Sequence, residues 1–503
     1  MSIKQLAGQT VWYGISSIAA RFINYLLTPL LTYNLADKAD YGKIGLIYSA
    51  IPILNIIFTY GFETAYFRFA GKDEYKKDIF STSALSLLFS TILLSVLLWI
   101  FQGAFGAAIG LADFPSIIQI SIFIVAFDAL ATIPFARLRQ EQRPRKYAFI
   151  KIAGILINIF VTWFYVAWCP KHLSANSNSI FNLIYSPHTN PVVYVLIANL
   201  IQNIFTLMLL GNEIKQIKFR FNTELWKQMM IYSMPLIIAG MGGMINETFD
   251  RLMLRWWLPG AAEQRETQVG IYNACYKLSL LITLFVQSFR LGAEPFFFKQ
   301  AEGGSPQKTY ARVMKFFVIT VCCVFLIINL YIPIWRYFIR KDYWAGLGVV
   351  PILVLANMSL GIYYNLSIWY KLSNKTTAGA TITLIGAGIT FLINFLFIPR
   401  YSYMASAWAT FACYFSMMVI SFVWGQKAYY VPYAWKKLLA YMCIVIILFF
   451  IHKGITSFVD STIFSLTLGT IFTAAFIFFV LRVEKKEFQQ MPYVGRYVEK
   501  YVK

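Results

Sequence analysis

The amino-acid sequence predicts an all-α polytopic membrane protein with about 14 transmembrane helices. Apolar residues make up 59% of the 503 residues and charged residues only 13%, which is about half the charged share of a soluble globular protein. Apolar runs close to the length that crosses a bilayer core of about 30 Å as a helix recur from end to end. The alternating segments of about ten residues that mark a transmembrane β-barrel do not occur in the chain.

The helices are placed by these apolar runs and by the polar loops between them. The predicted spans are 10–36, 42–69, 79–102, 114–138, 147–169, 191–211, 228–257, 269–298, 312–338, 345–370, 378–398, 402–426, 435–453 and 461–482. No loop between them is long enough to form a soluble domain.

A weak internal repeat divides the chain. The stretch "YGKIGLIY" at 41–48 matches "VGIYNACY" at 269–276, which aligns Gly42 with Gly270 and Tyr48 with Tyr276. We therefore expect two six-helix bundles related by a pseudo-two-fold axis, an arrangement typical of transporters. The expected units are an N-terminal bundle (1–211), a cytoplasmic linker (212–227), a C-terminal bundle (228–427), helices 13 and 14 (428–482) and a cytoplasmic tail (483–503).

The net charge of +22 follows membrane topology. Most basic residues fall in every second loop and in the C-terminal tail, which is the pattern of loops retained in the cytoplasm. We therefore expect both termini in the cytoplasm, contact with anionic membrane lipids, and no nucleic-acid partner. The N-terminal "MSIKQLAGQTVWYG" lacks the cleavage site of a signal peptide, so we expect the first helix to be retained.

Catalytic and metal chemistry is not indicated. The six cysteines are scattered through apolar segments without metal-ligand spacing, and the three histidines lie at helix ends or in an outer loop. We expect no catalytic residue, no bound metal and no cofactor.

The segment "INETFDRLMLRWWL" at 245–258 carries charge inside an apolar helix. Glu247, Asp250, Arg251 and Arg255 share one helical face, and Glu247 and Arg251 have the spacing of an ion pair. Each charge facing lipid near the bilayer centre costs roughly 2.5–3.5 kcal/mol. We therefore expect this face to contact protein or water, either as a functional site or as a structural ion pair between helices.

Helices one and eight carry similar polar faces. Together the three faces would enclose a cavity with intramembrane positive charge, which suits an anionic substrate and most simply a phosphate. Arg290 could instead form a structural salt bridge with Glu294 at the inner end of helix eight. The candidate substrate-binding residues are Arg21, Asn24, Thr28, Glu247, Asp250, Arg251, Lys277, Gln287 and Arg290.

Four stretches in order resemble one transporter family. They are "RFINYLLTPLLTYNLADKADYGKIGL", "YSMPLIIAGMGGMINETFDRLML", "GIYNACYKL" and "NFLFIPRYSYMASAWAT". The chain resembles the Wzx-type flippases, the polysaccharide-transport branch of the multidrug/oligosaccharidyl-lipid/polysaccharide (MOP) exporter superfamily. It departs from the family pattern at Ser402 and Ala405, where glycine is usual, and in the long insertion Pro259–Gln268.

This resemblance implies a fold like that of multidrug (MATE) exporters and a flippase working by alternating access in the bacterial cytoplasmic (inner) membrane. The substrate would be a polyprenyl-pyrophosphate-linked oligosaccharide used for surface polysaccharide or lipopolysaccharide biosynthesis. The polysaccharide polymerase machinery is a possible partner. Coupling to protons or sodium stays open, with Glu247 and Asp250 as the acids to test.

Other functions remain as alternatives. A lipid II flippase competes most directly, and a drug or cation exporter of the same fold would favour an anionic cavity. A glycan polymerase would need a sizeable outer loop with catalytic side chains, and an acyltransferase would need an embedded catalytic histidine. The chain offers neither, so both membrane enzymes are the weaker alternatives.

Overall fold

The structure is a computed structural model that describes Ala19 and residues 22–173, 184–300, 306–373, 375–459 and 461–489, without the side chains of 291, 292, 294–296, 298–300 and 376. Arg21, the side chain of Glu294 and the tail from 490 onward lie outside the described residues. The described part of the chain is helical and contains no strand.

The membrane helices follow the expected order. The N-terminal half contains α1 (Leu27–Asn34), α2 (Lys38–Thr59), α3 (Ile79–Ile100), α4 (Pro115–Gln140), α5 (Pro144–Trp163) and α6 (Pro191–Leu209). The C-terminal half contains α7 (Thr223–Trp257), α8 (Ala262–Gln300), α9 (Pro306–Leu330), α10 (Val349–Leu366), α11 (Thr376–Tyr401) and α12 (Tyr403–Ala428). The last pair is α13 (Trp435–Thr456) and α14 (Thr462–Val483).

The fold-class prediction is confirmed. Within the described ranges, 13 helices, α2 to α14, have the length and apolar composition needed to cross a membrane. The first predicted span, 10–36, is described only at Ala19 and over 22–36, which includes α1. The protein is therefore a multi-pass membrane protein.

Side-chain caps set where two central helices begin. The Asp37 carboxylate accepts a hydrogen bond from the backbone N–H of Ala39 at 2.9 Å, ahead of α2. The Asn222 side chain accepts one from the N–H of Leu225 at 3.0 Å, ahead of α7. Both caps satisfy a backbone donor that the first helical turn leaves unpaired. Both helices consequently begin earlier than the apolar pattern predicts.

The prediction of one continuous helix over 42–69 is wrong, because two helices occupy this part of the chain. The chain leaves α2 at Tyr60 and Gly61, which have φ angles of 36° and 72°. Such left-handed backbone ends a helix and is adopted most easily by glycine. A second short helix, Phe62–Ala70, then packs against α3, α4 and α7.

Two helical bundles meet along α2, α7 and α8. In the N-terminal half α4 packs against α3 and α6, and α6 packs against α5. In the C-terminal half α12 packs against α10 and α11, and α11 packs against α7. Contact between the halves is made chiefly by α2 against α8 and α7, whereas α13 and α14 pack against α9.

A buried carboxylate follows the last membrane helix. Glu484 accepts hydrogen bonds from Lys437 at 2.6 Å, Tyr441 at 2.7 Å and Lys315 at 3.0 Å. Burial by itself would raise the pKa of Glu484, but the hydrogen bonds from Lys437, Tyr441 and Lys315 outweigh it and hold that pKa below its ordinary value. Glu484 thereby ties α14 to α9 and α13 at one end of the molecule.

Candidate functional site

A central polar cavity of about 550 Å³ lies between the two halves. Helices α1, α2, α5 and α6 form one wall, and α7 and α8 form the other. Its polar lining consists of Asn24, Thr28, Tyr41, Tyr48, Ser49, Tyr147, Lys151, Asn158, Asn199, Gln202, Glu247, Thr248, Arg251, Asn273, Tyr276 and Lys277. Hydroxyls and carboxamides therefore outnumber charges.

Five of the nine candidate residues line this cavity. They are Asn24, Thr28, Glu247, Arg251 and Lys277. The polar faces predicted on helices one, seven and eight thus meet in one place. Arg21 lies outside the described residues, so its contact with substrate stays a prediction.

Asp250 lies behind Arg251 rather than in the cavity. The Asp250 side chain is buried, at 3% exposure, and its Oδ1 accepts a hydrogen bond from the Arg251 guanidinium at 2.8 Å. Its Oδ2 accepts one from the Tyr272 hydroxyl at 2.6 Å. This carboxylate therefore neutralises and orients Arg251 from inside the C-terminal half.

The predicted ion pair between Glu247 and Arg251 is wrong. The Arg251 guanidinium donates to the Glu247 backbone carbonyl at 2.7 Å and pairs with the Asp250 carboxylate. It also lies over the Tyr276 ring, 3.9 Å from the centroid. Asp250 prevails because a buried cation gains most from a buried, hydrogen-bonded carboxylate. The Glu247 side chain is left exposed in the cavity.

Gln287 and Arg290 lie further along α8 and outside the central cavity lining. The Arg290 guanidinium lies over the Tyr364 ring, 4.7 Å from the centroid, and lines a separate small cavity with Lys371. The Gln287 Oε1 atom is buried and accepts no hydrogen bond from the described residues. These two residues therefore lie apart from the central cavity, and their contact with substrate stays a prediction.

Sequence reasoning missed Lys151. A basic side chain at this point in the sequence fits the loop pattern that sets topology, but Lys151 lies well inside α5 and is exposed to the cavity. The available signal was a polar face at helical spacing along α5, formed by Tyr147, Lys151, Asn158 and Thr162. The face is real, since Asn158 donates a hydrogen bond to Gln202 of α6 at 2.9 Å.

Two lysines from opposite halves are the available cations of the site. Lys151 of α5 and Lys277 of α8 both line the central cavity. Neither forms a hydrogen bond or an ion pair with a described side chain, although the Lys151 ammonium lies 4.2 Å from the centroid of the Phe135 ring. Arg251, in contrast, is already paired.

The sequence matches one family along more than half its length. The family described as "Polysaccharide biosynthesis protein" covers residues 6–299. The chain belongs to this family. No curated protein matches the chain.

Solved structures of MOP-superfamily transporters share the fold of this family member. The lipid II flippase MurJ in an inward closed conformation matches with a TM-score of 0.66 and 14% identity, over 94% of this chain and 99% of MurJ. An inward-facing MATE multidrug transporter matches with a TM-score of 0.62 and 12% identity, over 84% of this chain and 95% of the transporter. A eukaryotic MATE transporter matches with a TM-score of 0.53 and 15% identity, over 86% of this chain and 96% of the transporter. At these identities the likeness concerns the fold alone.

The cavity has the chemistry of a binding site. Two ammonium groups offer attraction to an anion, and the surrounding hydroxyls and carboxamides can donate and accept hydrogen bonds. The described residues contain no group of three or more His, Cys, Asp or Glu side chains that could hold a metal ion. The arrangement can therefore hold a large polar anion between the two halves.

Proposed function

We propose that the protein flips a polyprenyl-diphosphate-linked oligosaccharide from the cytoplasmic to the outer leaflet by alternating access. The observation that carries this proposal is the pair Lys151 and Lys277, one from each half, in a polar cavity of about 550 Å³. Membership of the polysaccharide biosynthesis family supports the glycan part of the substrate. The MOP-type fold supports transport rather than catalysis.

The diphosphate is the part of the substrate that needs these lysines. Its negative charges must leave water to enter the membrane-spanning part of the protein, which is unfavourable unless cations replace the lost hydration. Lys151 and Lys277 form no hydrogen bond or ion pair with a described side chain, so their ammonium groups can donate to the phosphates. Neutral polar groups of the same lining suit the sugars.

Contacts at one end of the cavity support an inward-facing state. With the N-terminus in the cytoplasm, α2 and α8 begin at the outer face, where they pack together. The Arg340 guanidinium, between α9 and α10, donates to the Leu35 carbonyl at 2.6 Å, and the Tyr33 hydroxyl donates to the Tyr337 carbonyl at 2.8 Å. These contacts close the outer end, as expected before a substrate enters from the cytoplasm.

The test is deletion of the gene followed by analysis of the lipid-linked glycans on each face of the membrane. We expect one glycan to accumulate on the cytoplasmic face and to return to normal on complementation. An unchanged distribution of every lipid-linked glycan would refute the proposal. The same strain can show whether the polysaccharide polymerase depends on the protein.

A lipid II flippase is the second candidate, because the fold matches MurJ over nearly its whole length. The same deletion separates the two. Accumulation of lipid II with a block in cell-wall synthesis would favour this candidate. Accumulation of a different lipid-linked glycan, with normal lipid II, would favour the polysaccharide substrate.

A further inference from the structure

A second polar cavity, here called the side chamber, lies inside the N-terminal half. It has a volume of about 600 Å³ and is enclosed by α2, α4, α5, α6 and the short helix Phe62–Ala70. Tyr147, Lys151, Ile155 and Gln202 line both this chamber and the central cavity. The two spaces therefore meet at Lys151.

The lining of the side chamber differs from a phosphate site. It combines neutral hydroxyls and carboxamides, two carboxylates, two cations and aromatic faces, so no sign of charge predominates. Carboxylates and carboxamides bind neighbouring hydroxyl groups well, because each can accept or donate more than one hydrogen bond. Aromatic rings such as Phe127 and Phe135 add apolar surface. This combination suits a neutral, polyhydroxylated ligand.

Part of this polar lining is unsatisfied. The Asn55 Oδ1 atom is buried and accepts no hydrogen bond from the described residues. The Asp128 carboxylate lies near the Asn55 and Asn203 carboxamides in the same lining. Buried polar atoms are almost always paired, so the wall of the side chamber retains an unmet acceptor at Asn55.

An ion pair between Glu63 and Arg139 forms part of the side-chamber wall. Both side chains are about two-fifths exposed, at 40% and 43%. Arg139 lies at the end of α4 that leads into the basic segment around Arg143, which is expected in the cytoplasm, and Glu63 belongs to the short helix Phe62–Ala70. A glycan arriving from the cytoplasm could therefore enter here and reach Lys151.

We propose that the side chamber receives the sugars nearest the diphosphate while the diphosphate lies between Lys151 and Lys277. This inference rests on the proposed function, since it assigns places to two parts of the proposed substrate. Lys151 lines both cavities. The diphosphate joins the sugar to the lipid, so a diphosphate bound at Lys151 would place the sugar in one cavity and the lipid in the other. The lipid tail would then leave the central cavity on another side.

The test is protection of single cysteines by the native substrate. Thr132→Cys places a thiol in the side chamber, Asn199→Cys places one in the central cavity, and Lys76→Cys places one in an exposed loop as a control. Inverted vesicles are labelled with a charged maleimide. They come from cells that make the lipid-linked glycan, or from cells lacking the transferase that attaches its first sugar phosphate. The unsubstituted protein gives the background.

We expect the glycan to slow labelling several-fold at Thr132→Cys and at Asn199→Cys and to leave Lys76→Cys unchanged. Protection at Asn199→Cys without protection at Thr132→Cys would overturn the inference and leave the proposed function standing. Absence of protection at both positions would count against the proposed function itself.

A second variant separates sugar binding from phosphate binding. Asn55→Leu removes hydrogen-bonding groups from the side chamber at similar size. It should lower glycan export about tenfold, the effect of losing a buried hydrogen bond, while binding of inorganic diphosphate to the purified protein stays within about twofold. Wild-type export by Asn55→Leu would contradict the inference. A loss of diphosphate binding as large as the loss of export would also contradict it.

Discussion

Gly42 of α2 and Gly270 of α8 form a reciprocal contact where the two halves cross. A β-carbon on Gly42 would lie 1.9 Å from the Glu266 carbonyl oxygen, and one on Gly270 would lie 2.2 Å from the Lys38 carbonyl oxygen. Each glycine thus packs against a backbone carbonyl of the opposite helix, and that carbonyl belongs to the residue four positions before the other glycine. The repeat in the sequence aligns these same two positions, and a reciprocal contact of this kind is what a pseudo-two-fold relation between the halves predicts.

Gly42→Ala should therefore open the outer contact. Real β-carbons are not found this close to a backbone atom, so the helices must separate and the outward-open state should gain population. We expect reduced export and several-fold faster labelling of Asn199→Cys by a charged maleimide applied outside intact cells. Gly388→Ala is the matched control, because a β-carbon there has no neighbour within 4 Å. Export and Asn199→Cys labelling at wild-type rates in the Gly42→Ala variant would contradict this prediction.

The two cavity lysines should matter for phosphate binding. Lys151→Met and Lys277→Met should each weaken diphosphate binding about ten- to hundredfold, the usual effect of losing a hydrogen bond to a charged group. Lys→Arg changes should keep part of the affinity, since the charge survives in a different geometry. Calorimetry with inorganic diphosphate on the purified protein measures this. Lys215→Met, at an exposed position in the link before α7, should bind normally.

The Asp250–Arg251 pair should behave differently from the lysines. Asp250→Ala leaves a buried guanidinium without its carboxylate and should lower the free energy of unfolding by about 3–5 kcal/mol. The double change Asp250→Ala/Arg251→Ala should recover much of that stability in thermal unfolding assays. Export should stay low in the double variant if Arg251 also contacts the substrate. Normal export by the double variant would show that the pair is purely structural.

These cases show what the sequence could and could not predict. Length and apolar pattern locate the membrane helices because a bilayer imposes both. The polar faces of α1 and α7 could also be predicted, because polar residues stand out in a helix that the bilayer requires to be apolar. The partner of Arg251 was not, since Tyr272 of α8 stabilises Asp250 across a helix–helix contact. Lys151 was missed because a basic residue that follows a basic loop in the sequence fits the topology pattern as well as it fits a binding site.

The pH dependence of stability should reveal the Glu484 cluster. A carboxyl whose pKa is lowered in the folded protein stabilises it above the pKa of the unfolded chain, and this contribution is lost as the pH falls. Glu484→Gln should therefore lower the Tm of the purified protein at neutral pH, and the difference from wild type should shrink below the ordinary carboxyl pKa of 4.5. Glu74→Gln, at an exposed loop position, should show no such difference. A Tm difference independent of pH would contradict the assignment.

Glu247 provides the test of ion coupling. Its carboxylate is exposed in the central cavity, and no described side chain forms a hydrogen bond or ion pair with it. It lies one helical turn before Arg251, so a proton or sodium ion bound there would change the field felt by the substrate's phosphates. If export is coupled through this acid, Glu247→Gln should export at a rate that no longer responds to collapse of the proton or sodium gradient. Glu224→Gln, at the exposed start of α7, should keep the wild-type response. An unchanged gradient dependence in Glu247→Gln would exclude Glu247 as the coupling site and leave the lysine pair as the functional charge of the cavity.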